Sequence, residues 1–325
     1  MLVYLIRRLG QSLLVMAVMA TLVFLGVYAV GDPIEMLANP NADQQEREAI
    51  ARSLGLDRPL WEQFGVFILN ALQGDLGRSF VYNVPAVEVI AQRLPATLEL
   101  ALFGLAFSIL IGIPLGMAAG LKPESWLGRT IMSGSILGFS LPNFWIGLML
   151  ILLFAVELRL LPASGRGTTT SVFGVEVALF TLDGLRHLLL PALTLALYKS
   201  ALVIRIAQAG TREVMMQDYI RFARAKGLSR SRIVGVHVLK NILIPVVTVL
   251  GLELGSMIAF AVVTETVFAY PGMGKLLIDS INRLDRPIIV AYLMMTVLIF
   301  VLINLAVDLL YAAIDPRVRL GEAKG

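Results

Sequence analysis

The sequence predicts an all-α membrane protein with six transmembrane helices, and two observations support this fold class. The first is composition: 58% of the 325 residues are hydrophobic and 15% are charged. The mean hydropathy is +0.82, whereas a soluble domain is about 45–50% apolar and about 25% charged. The second is distribution, because the apolar residues fall in long blocks. A soluble enzyme, a disordered chain and a solenoid of repeats are therefore excluded.

Six windows are apolar enough to cross a bilayer, which takes about 20 mostly apolar residues. They are residues 9–30, 96–120, 131–156, 188–208, 242–264 and 288–312. Arg7 and Arg8 precede the first window, as they would in a signal peptide. Its apolar core is too long for a signal peptide, however, and no A-x-A cleavage pattern follows it. We therefore interpret it as a retained span.

The distribution of Lys and Arg predicts that both chain ends lie in the cytoplasm. With this orientation the inside segments carry 14 Lys and Arg against 5 acidic residues, and the outside segments carry 11 against 15. Cytoplasmic loops of membrane proteins are the ones enriched in Lys and Arg. The most basic segment, residues 209–241, is then a cytoplasmic loop.

The predicted outer region, residues 31–95, has helix signals of its own. Asp43 is placed to cap a helix that runs to Leu54 and ends at Gly55, and Pro59 opens a second helix that ends near Gly74. The second helix has apolar residues at helical spacing, namely Leu60, Phe64, Phe67, Ile68 and Leu72. Two interpretations stay open: a helix lying on the membrane surface, and a cap over the outer mouth of a pore.

Residues 209–241 are predicted to form a helix, a glycine turn and a second helix. Thr211 is placed to cap the first helix, with Glu213 in its first turn. Gly227 is placed to end that helix, and Ser229 to cap the next one. An apolar stripe would run along the first helix, formed by Met215, Tyr219, Phe222 and Ala223.

Two functional interpretations of this loop follow from its charge and its helix signals. It carries seven basic residues and two acidic ones, which is typical of an ordinary loop bound to anionic lipid headgroups. A glycine turn between two capped helices favours the other interpretation, because lipid binding does not need it. We then expect an elbow that transmits motion from a cytoplasmic partner into the spans.

The segment resembles the coupling loop of the permease subunits of ABC transporters, specifically of the dipeptide and oligopeptide branch. The resemblance extends from residue 218 to residue 229, and continues in residues 237–241 and Pro245. The general permease pattern begins Glu-Ala-Ala; here the Glu is missing and the Pro comes late, and both departures are usual in the peptide branch. The resemblance assigns ATPase coupling to Asp218, Tyr219, Arg221, Phe222, Ala223, Arg224, Ala225, Lys226, Gly227, Leu228 and Ser229.

Further motifs similar to those of this branch follow in order along nearly the whole chain. Each is weak alone, and their order makes the signal strong. They are Gly31-Asp32-Pro33, Leu54-Gly55-Leu56-Asp57 with Pro59, Gly74-Asp75-Leu76-Gly77, Ser140-Leu141-Pro142, Glu265-Thr266-Val267-Phe268, Pro271-Gly272-Met273-Gly274, Asp285-Arg286-Pro287 and Asp315-Pro316-Arg317.

The resemblance implies the fold and the assembly of a type I ABC importer permease. Residues 1–95 would hold the first span and a periplasmic helical region, residues 96–312 a five-helix permease core, and residues 313–325 a cytoplasmic tail. The implied partners are a second similar permease, two ATPase subunits that bind ATP and Mg, a periplasmic or lipid-anchored binding protein, and membrane lipid, but no nucleic acid. The implied substrate is a di- or oligopeptide entering through the bacterial inner membrane, with glutathione or a nickel chelate as the alternative.

The chain itself is predicted to carry no catalytic site, no cofactor and no metal. Cys is absent and His occurs twice, which excludes thiol catalysis and Cys-ligated zinc. The nearest approach to a phosphate-binding loop, Gly274-Lys275, has Ala269 and Leu276 where that loop needs Gly and Ser or Thr. The sequence has no H-E-x-x-H motif. Ser135 and Ser140 lie in the third predicted span, but His187 lies at the outer edge of the fourth and His237 in the cytoplasmic loop, which argues against intramembrane proteolysis.

Ionisable residues in the predicted spans are functional candidates, because burying a charge in a bilayer is costly. They are Glu99, Lys199, Glu253 and Asp308. We take Glu253, Lys199 and Ser140 as candidates for the translocation path. Two interpretations stay open: Glu253 and Lys199 form a structural pair or line a water-filled path, or they belong to the proton relay of a secondary transporter. The second is the runner-up function, and the lack of an inverted repeat disfavours it.

Overall fold

The computed structural model describes residues 2–27, 43–53, 55 and 57–314, most of which are helical. The chain forms two compact units. Unit 1 comprises Met1–Leu94 and Gly272–Leu305, and unit 2 comprises Pro95–Pro271 and Ala306–Gly325. The predicted motifs 31–33 and 315–317, two residues of the motif 54–57, and the predicted tail from residue 315 onward lie outside the described residues.

The described helices and the one described hairpin are labelled here in chain order. The helices are α1 (Leu2–Val27), α2 (Gln44–Ser53), α3 (Leu60–Leu72), α4 (Ala86–Leu121), α5 (Trp126–Ser140), α6 (Asn143–Leu150), α7 (Leu182–Met215), α8 (Asp218–Ala225), α9 (Arg230–Arg232), α10 (Leu239–Val267), α11 (Met273–Asn282) and α12 (Arg286–Ile314). Two π-helical segments extend α6 and precede α10, namely Ile151–Glu157 and Ile233–Val238. The hairpin pairs β1 (Thr170–Val172) with β2 (Val175–Val177) in antiparallel register.

Unit 1 contains the predicted outer helices, and their start and stop signals are confirmed. The Asp43 carboxylate accepts a hydrogen bond from the Glu46 N–H at 2.8 Å and so caps α2. Gly55 follows α2 in the left-handed conformation, with φ +68°. The helix α3 begins directly after Pro59, and Gly74, with φ +81°, follows its end.

Unit 1 is held together by an apolar cluster that three helices share. Ala20 and Val23 of α1 are buried against Val290 and Met294 of α12, and Phe67 and Ile68 are among the α3 side chains packed on this cluster. The ring of Phe24 on α1 also lies 5.2 Å from that of Phe64 and 5.8 Å from that of Phe67. One face of α3 is therefore fixed to the end of α1.

Unit 2 is built on a close approach of α4 to α7, which glycine makes possible. A Cβ at Gly116 would lie 2.6 Å from the Cβ of Ala207 and 2.6 Å from the carbonyl oxygen of Ile204. A Cβ at Gly112 would lie 2.6 Å from Val203. No side chain fits at such distances, so the two helices pack backbone to side chain, as small residues allow in membrane bundles.

Five helices of the described chain are long and apolar enough to cross a membrane, and they confirm five of the six predicted windows. Several extend beyond the predicted bounds: α4 begins at Ala86 and α7 runs from Leu182 to Met215. The span-length segments are Ile6–Gly26, Ala86–Leu121, Leu182–Met215, Pro245–Val267 and Arg286–Val307. Of the first predicted window, residues 28–30 lie outside the described residues.

The third predicted window is apolar enough to cross the membrane, but it is not one continuous helix. The helices α5 and α6 meet there at a bend of 104°. Leu141 is extended, with φ −81° and ψ 136°. Pro142 causes the break, because proline disfavours helical conformation in the residue before it and has no N–H to donate to the preceding turn. The pair counts as a sixth span only if both halves are taken together.

Candidate functional site

The elbow, residues 209–241, has the predicted glycine turn at its centre. Gly227 adopts the left-handed conformation, with φ +77°. Its N–H donates to the carbonyl of Arg224 at 2.9 Å, and the N–H of Leu228 donates to the carbonyl of Ala223 at 3.2 Å. This double hydrogen bond is the Schellman ending of a helix, which satisfies carbonyls that α8 would otherwise leave open.

The second arm of the elbow also begins as predicted. The Ser229 hydroxyl accepts a hydrogen bond from the Arg232 N–H at 3.4 Å and caps α9. From Arg230 the chain then stays helical, through the π-helical segment Ile233–Val238 and into α10. The second arm is therefore the start of a span-length helix.

The predicted first arm was wrong in its boundary. Thr211 does not cap a helix, because it lies fully buried within α7, which runs on to Met215. Glu213 consequently lies in the last turn of α7 instead of in a first turn. Residues 211–215 contain neither proline nor glycine. The helix of the predicted fourth span therefore continues into the loop. A Cβ at Gly120 would lie 2.6 Å from the Cβ of Thr211, which shows that α4 occupies the space around this residue.

The predicted apolar stripe was wrong as well, because the chain breaks helical phase between α7 and α8. Gln217 is extended, with φ −71° and ψ 146°, so residues before and after it do not share one helical face. Ile220 and Ala223 are the buried residues of α8. Tyr219 and Phe222 instead point outward, with 44% and 61% of their surface exposed.

The buried side of α8 ties the elbow to the helices of unit 2. Ile220 and Ala223 belong to a cluster that also contains residues of α4, α7 and α10. Members from these helices include Met117, Val214 and Ile242. A force applied to α8 therefore acts on three long helices through close-packed side chains.

The outer side of α8 carries aromatic and cationic groups together. The Lys226 ammonium lies 4.5 Å from the centre of the Phe222 ring. Arg221 reaches the Asp218 carboxylate at 3.3 Å, and the side chains of both are largely exposed. Among the remaining predicted coupling residues, Arg224, Ala225 and Ser229 are exposed and Leu228 is partly buried. The outer side of α8 therefore presents exposed aromatic rings beside basic side chains.

The second predicted constellation, Glu253 with Lys199, forms an ion pair between α10 and α7. The Lys199 ammonium donates to the Glu253 carboxylate and to the Ser256 hydroxyl, the latter at 3.1 Å. Ser256 in turn donates to Glu253 at 2.8 Å. The side chains of Lys199 and Glu253 are 16% and 28% exposed, respectively. Each charge in the span is therefore compensated by the other.

Ser140, the third path candidate, is not part of this constellation. Its hydroxyl donates to the carbonyl of Ile136 at 2.9 Å, within its own helix. It is the last residue of α5, directly before the break at Leu141. The neighbouring helices line an open apolar cavity of about 450 Å³, and Ser135, Ser200 and Trp145 are among its lining residues.

Glu99 lies at the centre of a buried polar network that the sequence analysis missed. Its carboxylate accepts hydrogen bonds from Arg166 at 3.0 Å, from the Ala178 N–H at 2.8 Å and from the Tyr270 hydroxyl at 3.3 Å. Arg166 also donates to the Glu176 carbonyl at 2.6 Å. The network joins α4 to the hairpin and to the segment after α10.

Burial raises the pKa of the Tyr270 phenol, because an ionised phenol would lose its hydration and would face the negative charge of Glu99. Tyr270 therefore remains a donor to the carboxylate. The sequence signal that could have predicted this network was Glu99 itself, since a carboxylate in a predicted span needs a cation nearby. Arg159, Arg166 and Arg186 all lie in the predicted outer segment 157–187, and local sequence does not choose among them.

Unit 1 explains the predicted motif Asp285-Arg286-Pro287. Asp285 is fully buried. Its carboxylate accepts hydrogen bonds from the Ser79 hydroxyl and from the N–H groups of Phe80 and Val81, the latter two at 3.1 and 3.3 Å. The motif thus ties the loop after α3 to the start of α12, which is a structural role.

The comparisons with known proteins cover both parts of the chain. The family described as "Binding-protein-dependent transport system inner membrane component" matches residues 112–320, and its N-terminal companion matches residues 1–101. The dipeptide transport system permease protein DppB of Escherichia coli K12 is 37% identical over 98% of this chain and 99% of its own. The glutathione transport system permease protein GsiC of Escherichia coli O6:H1 is 40% identical over the same shares.

Among solved structures, a chain of the MetNI methionine ABC transporter has a similar fold. The TM-score is 0.53 at 16% sequence identity, and the match covers 70% of this chain and 96% of that chain. At this identity the likeness concerns the fold alone.

Proposed function

This chain belongs to the family of binding-protein-dependent transport system inner membrane components, and from this membership we propose that it carries short peptides into the cell. It is a multi-pass membrane protein and the permease subunit of an ABC importer. The observation that carries the substrate class is its full-length similarity to a dipeptide permease and a glutathione permease. Dipeptides and glutathione are both short peptides with an ionised amino group and ionised carboxylates.

We further propose that the elbow docks on a cytoplasmic ATPase subunit, and that ATP and Mg bind there rather than to this chain. The support is that both arms of the elbow continue into span-length helices, α7 and α10, while α8 exposes Tyr219 and Phe222. When two ATPase subunits close on ATP, the elbow moves with them and rotates the attached helices as a rigid body. Alternating access to the two sides of the membrane follows.

The complete importer, in this proposal, contains a second permease, two ATPase subunits and an external substrate-binding protein. Both ends of this chain lie in the cytoplasm of a bacterial cell and the hairpin lies outside. The Lys and Arg distribution of the sequence supports this orientation. Within the spans, the pair of Lys199 and Glu253 offers one charge of each sign to a zwitterionic peptide.

The test is ATPase activity of the reconstituted importer with its binding protein, screened over dipeptides, longer peptides, glutathione and nickel chelates. Peptides should stimulate ATP hydrolysis severalfold, and a nickel chelate should not. Stimulation by the nickel chelate and not by peptides would show that the importer carries the alternative substrate, a nickel chelate. ATPase subunits should also co-elute with the chain on purification. Uptake that survives ATP removal and collapses with a protonophore would favour a secondary transporter.

A further inference from the structure

We propose that α3 lies in the interfacial layer of the bilayer and turns one of its faces toward phospholipid. That face, here called the Trp61 stripe, consists of Trp61, Gly65, Leu69 and Leu72. This inference concerns an interaction surface outside the transport machinery, and it does not depend on the substrate. It chooses the membrane-surface interpretation of this helix over a cap above a pore.

The length of α3 excludes a span and suits an interfacial helix. It has 13 residues, and at 1.5 Å per residue that is about 20 Å, against a hydrocarbon core of about 30 Å. Its composition is nevertheless apolar, and its one charged residue is Glu62 in the first turn. The neighbouring helix α2, in contrast, is mostly polar, with the sequence QQEREAIARS.

The inner face of α3 shows how deep the helix lies. Phe67 and Ile68 pack on the cluster that contains Ala20 and Val23 of α1. The span-length part of α1 ends at Gly26, so the two α1 residues of this cluster, Val23 and Ala20, lie about 5 and 9 Å inside that end. An amphipathic helix in the interface is immersed by about 5–10 Å. The contacts therefore place α3 at interfacial depth.

The outer face of α3 is apolar and uncovered by the described part of the chain. Trp61, Leu69 and Leu72 are 75%, 59% and 81% exposed. These residues follow one another at intervals of three or four positions through Gly65, so they line one side of the helix. Soluble surfaces rarely show such a stripe, whereas Trp with Leu is typical of a helix at the membrane interface.

The position of α3 favours lipid over a protein partner as the occupant. Only 11% of the span window of α1 is buried, so α1 lies at the edge of its unit, where a span meets lipid. The helix that packs on the end of α1 shares that environment. Its outer stripe then meets acyl chains and glycerol groups at the same depth.

Spin labelling tests this directly, because the sequence contains no cysteine. Leu72→Cys reports on the Trp61 stripe, and Asn70→Cys, an exposed polar position on the other side of the same helix, is the matched control. The full chain, with the subunits that co-purify, is reconstituted into vesicles of phosphatidylethanolamine and phosphatidylglycerol. Collisions with oxygen and with a water-soluble nickel chelate are then measured at each label.

The label at Leu72 should collide with oxygen severalfold more often, relative to the nickel chelate, than the label at Asn70. A Leu72 label that is more accessible to the chelate would overturn the proposal in favour of an aqueous cap. A label shielded from both reagents would overturn it in favour of a protein partner.

A second measurement needs no label and covers the case in which the cysteine variants fail to insert. Trp126→Phe together with Trp145→Phe leaves Trp61 as the only tryptophan of the chain. Its emission should be quenched by phospholipids brominated near the top of the acyl chain, and only weakly by aqueous acrylamide. The reverse order of quenching contradicts the proposal.

Discussion

At the scale of single residues, Gly227 decides the shape of the elbow. With φ +77° it occupies a conformation that costs residues with a Cβ about 1–2 kcal/mol, and β-branched residues tolerate it least. Nothing lies within 4 Å of where its Cβ would be. Any effect of substitution there is therefore due to the backbone and not to a clash.

Gly227→Val should disable transport while leaving membrane insertion normal. The turn should lose about 1–2 kcal/mol of stability. The elbow should then bind the ATPase weakly, or the ATPase should hydrolyse ATP whether or not substrate is present. The measurement is ATPase activity with and without substrate in the reconstituted importer. Gly235→Val is the matched control, because Gly235 lies in helix with open space around it. Transport at the wild-type rate by Gly227→Val would instead show that the elbow is a lipid-facing loop with no role in coupling.

A second residue-scale prediction concerns the pair of Glu253 and Lys199. Glu253→Gln keeps the shape of the side chain but leaves the Lys199 charge without its counter-charge, at a cost of about 2 kcal/mol, less than for a fully buried pair. We expect transport to remain driven by ATP, with an altered rate or substrate preference and no dependence on a proton gradient. Uptake into proteoliposomes with and without a protonophore measures this.

The control for this prediction removes both charges. Lys199→Gln combined with Glu253→Gln should recover most of the lost thermal stability, because no uncompensated charge remains in the span. Loss of all uptake in Glu253→Gln, together with wild-type uptake that needs a proton gradient instead of ATP, would support a proton relay.

At the scale of elements, the close contact between α4 and α7 in unit 2 can be tested by a substitution. The atoms that a Cβ at Gly116 would meet are the Cβ of Ala207 and the backbone oxygen of Ile204. Neither belongs to a flexible side chain. An added methyl group can be accommodated only if the two helices move apart.

Gly116→Ala should therefore destabilise the chain by about 1–3 kcal/mol, measured by thermal unfolding in detergent. Gly134→Ala on α5 is the matched control, because no atom lies within 4 Å of its Cβ position. That change should be neutral or slightly stabilising, since alanine favours helix over glycine. Equal stability of both variants would show that α4 and α7 pack less tightly than described.

At the scale of the whole molecule, the orientation in the membrane determines what each part can meet. The basic elbow meets ATPase subunits only if it faces the cytoplasm, and the hairpin then faces outward. Both positions are open to chemical labelling, because the sequence has no cysteine of its own.

Phe173→Cys, at the tip of the hairpin, should react with an impermeant maleimide in intact cells, since Phe173 is fully exposed. Arg230→Cys, an exposed position on the elbow, should react only after the membrane is opened. Quantifying the labelled fraction before and after permeabilisation gives the result. Labelling of Arg230→Cys from outside would reverse the proposed topology.

The sequence by itself determined the features that depend on nearby residues. The apolar windows predicted the spans, because span length follows from bilayer thickness. Asp43, Gly227 and Ser229 predicted helix ends, because a cap acts on backbone groups within a few residues. Pro142 also indicates the break in the third window, since proline restricts the residue before it. The sequence analysis did not predict this break, because the apolar residues continue without interruption on both sides of it.

Only the tertiary structure decided which distant groups meet and which helix face is buried. Glu99 finds Arg166 across 67 positions of sequence, and the choice among the outer arginines depends on how the hairpin folds back onto α4. Thr211 lies in a continuous helix, and Tyr219 and Phe222 face outward, because packing on unit 2 selects Ile220 and Ala223 instead. Local signals act on the backbone over a few residues, whereas burial is a property of the whole packed set of helices, and for that reason no single segment reveals it.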